Sequence, residues 1–170
     1  MGRTLNVLFV CTGNTCRSVL AQALLEGILK EIPGENIHVK VFSAGVASVE
    51  GLAASREALE VLHSYGIDFR EHRSGQVTPE LVEQAHYIFT MTHGQKNYLL
   101  NSYPEAQEKV WLLTEYAGGN GEEISDPFGR GIEVYRLAAA EIREALKKIA
   151  ARWSGSPEKE EKGRGKVEES

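Results

Sequence analysis

The sequence predicts an α/β fold: a single-domain, open, doubly wound parallel sheet of four strands with helices on both faces. Three observations carry that expectation. Short apolar, β-prone runs alternate along the chain with segments of helical periodicity, the pattern of a parallel sheet covered on both sides. The connections are short enough for right-handed crossovers. At 170 residues, 42% hydrophobic and 25% charged, the chain has the length and composition of one soluble domain.

Each element has a local reason. Residues 5–10 (LNVLFV) form a short apolar run ended by a Gly-containing turn, which predicts a buried strand. Leu20, Leu24 and Ile28 recur at helical spacing over 17–31, and Pro33 with Gly34 stops that run. The alternating segment 37–42 predicts a second strand. A helix over 51–64 follows, with Leu52, Leu59 and Leu62 on its apolar side, and the polar stretch 66–77 predicts a loop. Thr78 before Pro79 is a good start for a short helix. Residues 86–91 predict the third strand, and Thr92 with Gln95 predicts a capping box for a helix reaching Ser102. Residues 109–113 predict the fourth strand. A Gly-rich loop then leads to a last helix over 131–153, with a stripe of Val134, Leu137, Ala138, Ile142, Ala145, Leu146 and Ile149. From 154 to 170 Val167 is the one sizeable apolar residue, so a disordered, charged tail is expected there.

The net charge of −5 argues against nucleic acid or an anionic membrane as a partner. The apolar runs are far shorter than a membrane span, and the start of the chain lacks a signal-peptide pattern, so a cytoplasmic protein is expected. Two cysteines do not make a disulfide framework. Two thiols without neighbouring ligands do not complete a metal site, so neither a metal nor another cofactor is expected.

The chemistry concentrates where the first strand becomes the first helix: Cys11, Thr12, Gly13, Asn14, Thr15, Cys16, Arg17, Ser18. Loops at the carboxyl ends of parallel strands are the usual ligand sites of such sheets. Successive backbone amides and a helix N-terminus make an anion cradle there without a basic surface. Cys11 at its entrance is placed to be a thiolate nucleophile. Arg17 offers a planar fork that takes phosphate oxygens two at a time. A leaving group also needs a proton donor, and Asp126, in the loop after the fourth strand, sits at the same sheet edge. It can serve first as general acid and later as the base that activates water. Pro127 restricts its backbone, and Phe128 is placed to form a pocket wall. Each residue also has a plainer reading: Cys11 as a small buried hydrophobe, Asp126 as an Asx-turn residue, Ser43 and Asn14 as turn residues. Cys16 either fills space beneath the helix or bonds Cys11 on oxidation, and the two roles are compatible. His38, His63, His86 and His93 have no motif around them. The Gly-rich stretch 118–121 lacks the strand–helix frame of a nucleotide fingerprint.

VCTGNTCRS over 10–18, SAG at 43–45 and DPFG at 126–129 together resemble the low-molecular-weight protein tyrosine phosphatases over roughly residues 5–150. Within that family the chain is most similar to the bacterial protein arginine phosphatases. They share Thr at Thr15, where tyrosine phosphatases carry Ile or Leu, and a single aromatic after Asp-Pro, here Phe128. The resemblance implies a phosphatase domain over 1–153. It also implies a metal-independent cysteine phosphatase that hydrolyses phosphoarginine in proteins through a cysteinyl-phosphate intermediate, a monomer whose partners are its phosphorylated protein substrates. Cys11, Arg17 and Asp126 are the implied catalytic residues. Thr12, Gly13, Asn14, Thr15, Cys16, Ser18 and Phe128 contact substrate. In the same pattern Asn14 holds the loop in shape, Ser18 stabilises the thiolate, and Ser43 and His72 hydrogen-bond behind them. Val19 departs from the family, which places Pro there. Alternatives are a phosphotyrosine phosphatase on the same scaffold, an arsenate reductase, which needs more relay cysteines than this chain has, and a non-catalytic phosphoprotein-binding module.

Overall fold

Four strands, β1 (Arg3–Cys11), β2 (Ile37–Gly45), β3 (Tyr87–Thr90) and β4 (Val110–Leu112), lie in the order β2-β1-β3-β4, and every neighbouring pair is parallel. The structure is a computed structural model that describes residues 3–32 and 37–154. The helices are α1 (Arg17–Glu31), α2 (Arg56–Ser64), α3 (Pro79–Gln84), α4 (His93–Ser102), α5 (Leu113–Tyr116) and α6 (Ile132–Trp153), with a 3-10 turn at Pro104–Ala106. The expected α/β class and four-stranded parallel sheet are therefore what the chain adopts.

Strand β1 explains the layering. Successive side chains of a strand point to opposite faces. Val7, Phe9 and Cys11 pack with α1, α2 and α6 on one side, while Leu8 and Val10 join Val82 of α3, Leu99 of α4 and Ile88 and Val110 on the other. A central strand must be apolar where both its faces are buried, and β1 is so over Val7–Cys11. The chain passes from β1 to β2 on one side and then returns to place β3 on the other. The crevice beyond the ends of β1 and β3 is thus the switch point of the sheet, where ligands of such folds bind.

Local capping follows the sequence closely. Thr78 Oγ1 accepts from Leu81 N at 3.2 Å with Pro79 first in α3. Thr92 and Gln95 form the reciprocal capping box of α4. Three expectations are corrected. The helix expected over 51–64 begins only at Arg56, because Ser55 caps it and Gly51 takes a φ of 84°. Residues 51–55 spend their backbone groups elsewhere: Gly51 N donates to Ser74 O, and Ser55 N donates to Thr15 O. Leu52 is consequently outside the helix and 47% exposed. On α6 the buried stripe turns through Tyr135, Ala138, Ala139, Ile142, Ala145, Leu146, Ile149 and Ala150, and Leu137 is 61% exposed. Strand β4 ends at Leu112, since Leu113 opens the short α5. Pro33, Gly34 and the expected tail beyond Ser154 lie outside the described residues.

Candidate active site

The loop Cys11–Cys16 is shaped from outside, carbonyl by carbonyl. Cys11 O accepts from Val46 N, Thr12 O from Ala47 N, Thr15 O from Ser55 N and Cys16 O from Leu20 N, all at 2.9–3.0 Å. Gly13 O accepts from Ser48 Oγ at 3.0 Å, and Asn14 O from His72 Nε2 at 2.9 Å. A trans peptide carries its N–H opposite its C=O. Turning six consecutive carbonyls outward therefore turns the amides of Thr12 to Arg17 inward, an anion nest closed by the N-terminus of α1. Gly45 makes this possible. It pairs with Cys11 across the β1–β2 register, and a Cβ there would stand 2.4 Å from Thr12 O.

Cys11 Sγ, 2% exposed, sits at the floor of the nest, 3.0 Å from Ser18 Oγ. Behind it runs a directional chain. Gly75 N donates to Asn14 Oδ1 at 3.0 Å, and Asn14 Nδ2 donates to Ser18 Oγ at 2.8 Å. With its lone pair thus engaged, the Ser18 hydroxyl has its hydrogen left for the sulfur. Asn14 is fully buried and has a φ of 59°, the left-handed region that Asn enters more readily than other non-glycine residues. The carbonyl of Asn14 can only accept, so His72 Nε2 carries a hydrogen; burial holds the His72 pKa below its ordinary 6.5, partly offset by that same bond. Phe69 stacks on the His72 ring at 5.7 Å.

Arg17 is 5% exposed and bridges two loops. Its Nη1 donates to Ile124 O at 2.9 Å, and its Nη2 lies 3.8 Å from Asp126 Oδ2. Asp126 is 57% exposed, and its Oδ1 accepts from Phe128 N at 3.1 Å. The Asx-turn reading and the reactive-carboxylate reading are thus compatible: one oxygen fixes the turn and the other faces Arg17. Phe128, 68% exposed, stands at the rim.

Thr12 is exposed, and its Oγ1 accepts from Gln95 Nε2 at 3.1 Å. Thr15 is half-buried with its hydroxyl 3.7 Å from Cys16 Sγ. Cys16 is buried, 3.2 Å from Tyr135 Oη and 3.6 Å from Ser55 Oγ; both cysteines are free thiols. Burial and then the Cys16 contact push the Tyr135 pKa up, which keeps the phenol protonated. Ser43 is the residue the structure does not bring to the loop. Its hydroxyl donates to Gln22 Oε1 at 2.6 Å, bracing β2 against α1.

Gly45, Ser48, Ser55, Gln95 and Tyr135 escaped sequence reasoning as site residues. Gly45 stood in the SAG motif, and Gln95 was recognised only as a capping residue. Among the described residues no three His, Cys, Asp or Glu side chains gather in a way that could hold a metal ion, and no helix is long and apolar enough to cross a membrane.

Residues 6–160 match the family model described as low molecular weight phosphotyrosine protein phosphatase. The protein-arginine-phosphatase of Geobacillus stearothermophilus is 44% identical over 144 residues, covering 85% of this chain and 93% of its own. The low molecular weight protein-tyrosine-phosphatase PtpB of Staphylococcus epidermidis is 36% identical over 145 residues, covering 85% and 96%. Among solved structures, the YwlE arginine phosphatase from Geobacillus stearothermophilus superposes with a TM-score of 0.79 at 42% identity, over 88% of this chain and 92% of that one.

Proposed function

The chain belongs to the low-molecular-weight phosphotyrosine protein phosphatase family, and from that membership we propose that it hydrolyses phosphoarginine in proteins through a cysteinyl-phosphate intermediate. The observation that carries the reaction is the meeting of Cys11 Sγ, the inward amides and Arg17 with Asp126 across from them.

The phosphoryl group enters the nest, where six amides and the Arg17 fork neutralise its oxygens. Taking up phosphate draws the guanidinium of Arg17 from Asp126, and the freed carboxylate takes a proton from solvent and faces the leaving group as its acid. The Cys11 sulfur attacks phosphorus in line with the P–N bond. That bond breaks as Asp126 gives its proton to the departing guanidine nitrogen. Asp126, now a carboxylate, takes a proton from water, the hydroxide displaces sulfur from phosphorus, and inorganic phosphate leaves. The charge that builds on the equatorial oxygens is met by donors already aimed at it, so little reorganisation is needed during the reaction.

Substrate class rests on Thr15 and on relatives named arginine phosphatases. A threonine is shorter than the Ile or Leu expected of tyrosine phosphatases, so it offers a phenyl ring less apolar contact and presents a hydroxyl instead. A planar guanidinium can also pair with Asp126, as a phenol cannot. The tyrosine-phosphatase reading stays in view because 36% identical relatives bear that name. Measuring kcat/KM on a phosphoarginine peptide and on a phosphotyrosine peptide of the same sequence tests the assignment. Preference for phosphoarginine is expected, and preference for phosphotyrosine overturns it. Cys11→Ser should lose turnover on both substrates, and a fully active Cys11→Ser protein refutes the covalent mechanism.

A further inference from the structure

Gln95 does more than cap a helix. Its Oε1 accepts from Met91 N at 2.9 Å and from Thr92 N at 3.1 Å, and those two N–H donors fix which end of the amide is oxygen. The Nε2 end therefore points the other way, where it donates to Thr12 Oγ1 at 3.1 Å, 83 residues distant in sequence. Gln95 is 4% exposed, so this reach is made by a buried side chain held at both ends of its amide. Thr12 is the first residue after the nucleophile, and its own carbonyl is held by Ala47 N. The peptide that opens the nest is thus gripped from both sides.

The junction of β3 and α4 also holds the segment leading to the acid. Ile124 N donates to Met91 O at 3.0 Å, His93 N donates to Glu123 Oε2 at 2.8 Å, and the His93 ring bonds Gly121 O at 3.2 Å. The carbonyl of that Ile124 receives Arg17 Nη1. That junction at the switch point therefore touches both halves of the site.

We propose that Gln95 is a positioning residue for phosphoryl transfer, using its amide donor on Thr12 to set the opening peptide of the nest against the acid loop that the same junction secures. The inference rests on the phosphatase reading given above. Because Thr12 Oγ1 is the acceptor in this bond, its hydroxyl hydrogen is left for a phosphoryl oxygen or a backbone carbonyl of the protein substrate at the rim.

Separating the two duties of Gln95 tests the proposal. Thr12→Val removes the tether and leaves the α4 cap intact, and water reaches the freed amide because Thr12 is exposed. It should lower kcat/KM about five- to tenfold, the span of one lost hydrogen bond, without moving Tm. Thr12→Ser keeps the acceptor and should retain more kcat/KM than Thr12→Val. Gln95→Met loses both duties, so Tm and kcat/KM both fall. The double variant should be no slower than Gln95→Met alone, since both changes cut the same bond. Unchanged kinetics in Thr12→Val, or losses that multiply in the double variant, overturn the proposal. If the unsubstituted protein hydrolyses neither phosphopeptide, the phosphatase reading fails by itself. Calorimetric titration of inorganic phosphate into Cys11→Ser, with and without Gln95→Met, then decides on positioning: weaker binding supports it and equal binding overturns it.

Discussion

Replacing Asn14 with alanine takes three things away at once, and each has a size. Alanine in the left-handed region costs about 1 kcal/mol more than asparagine there. Loss of the Oδ1 acceptor strands the half-buried Gly75 N–H beneath the loop, and a donor left unsatisfied there costs about 1–3 kcal/mol. Loss of the Nδ2 donor frees Ser18 Oγ to rotate away from Cys11 Sγ. The first two together come to about 3 kcal/mol, or roughly 6–12 °C in Tm for a domain of this size. The third falls on the reaction: a bond to a charged sulfur is worth about 1.5–3 kcal/mol, so kcat should drop by about ten- to a hundredfold. Asn14→Gly separates conformation from bonding, because glycine accepts a φ of 59° without strain. It should recover about 1 kcal/mol of stability and none of the activity. Urea denaturation and steady-state kinetics on the three proteins give both readings. An Asn14→Gly protein with the parent's kcat refutes the view that the Asn14 side chain orders the sulfur's hydrogen bond.

Asp126→Ala should lower kcat about a hundredfold or more, the usual contribution of a placed acid–base group, while inorganic phosphate still inhibits competitively; unchanged kcat at neutral pH sinks its role as proton donor. Thr15→Ile should move the ratio of kcat/KM values toward phosphotyrosine, read on the same peptide pair, and an unmoved ratio removes Thr15 from specificity. Burial depresses the folded pKa of His72 below 6.5, so just under that pH the unfolded chain binds the extra proton first. The stabilising contribution of His72 is fully present above about pH 6.5 and is lost as pH falls through its lowered folded value. Tm measured from pH 8 down to pH 5 should fall more steeply for the parent than for His72→Gln, and parallel curves contradict the assignment.

What was legible in the sequence was whatever neighbours in the chain decide. The β1 run, the capping box of Thr92 and Gln95, and Pro79 behind Thr78 depend on residues within a few positions of one another, as does the spacing of Cys11 and Arg17. The misread start of α2 has a different origin. Residues 51–55 have helical composition, but Ser55 N is claimed by Thr15 O and Gly51 N by Ser74 O, and no window of sequence around 51 displays those partners. Ser43 was expected behind the loop and instead meets Gln22, because strand alternation sends its side chain toward α1. Tyr135 was passed over on α6 in favour of Leu137. A helical stripe drawn by hydrophobicity ranks leucine above tyrosine, whereas burial here follows the phenol's reach to Cys16.

Of the six donors that hold the nucleophile's loop, four are main-chain N–H groups, those of Val46, Ala47, Ser55 and Leu20. No exchange of side chain can delete a main-chain donor unless the newcomer is proline. An alanine scan of these positions would therefore pass over the mould entirely, while proline at 46, 47 or 55 would break it. The cavity's form and its choice of guest are consequently separable properties. Exchanges at Thr15 and Phe128 should retune which phosphorylated residue is admitted, while the cast that grips the phosphoryl group stays as it is.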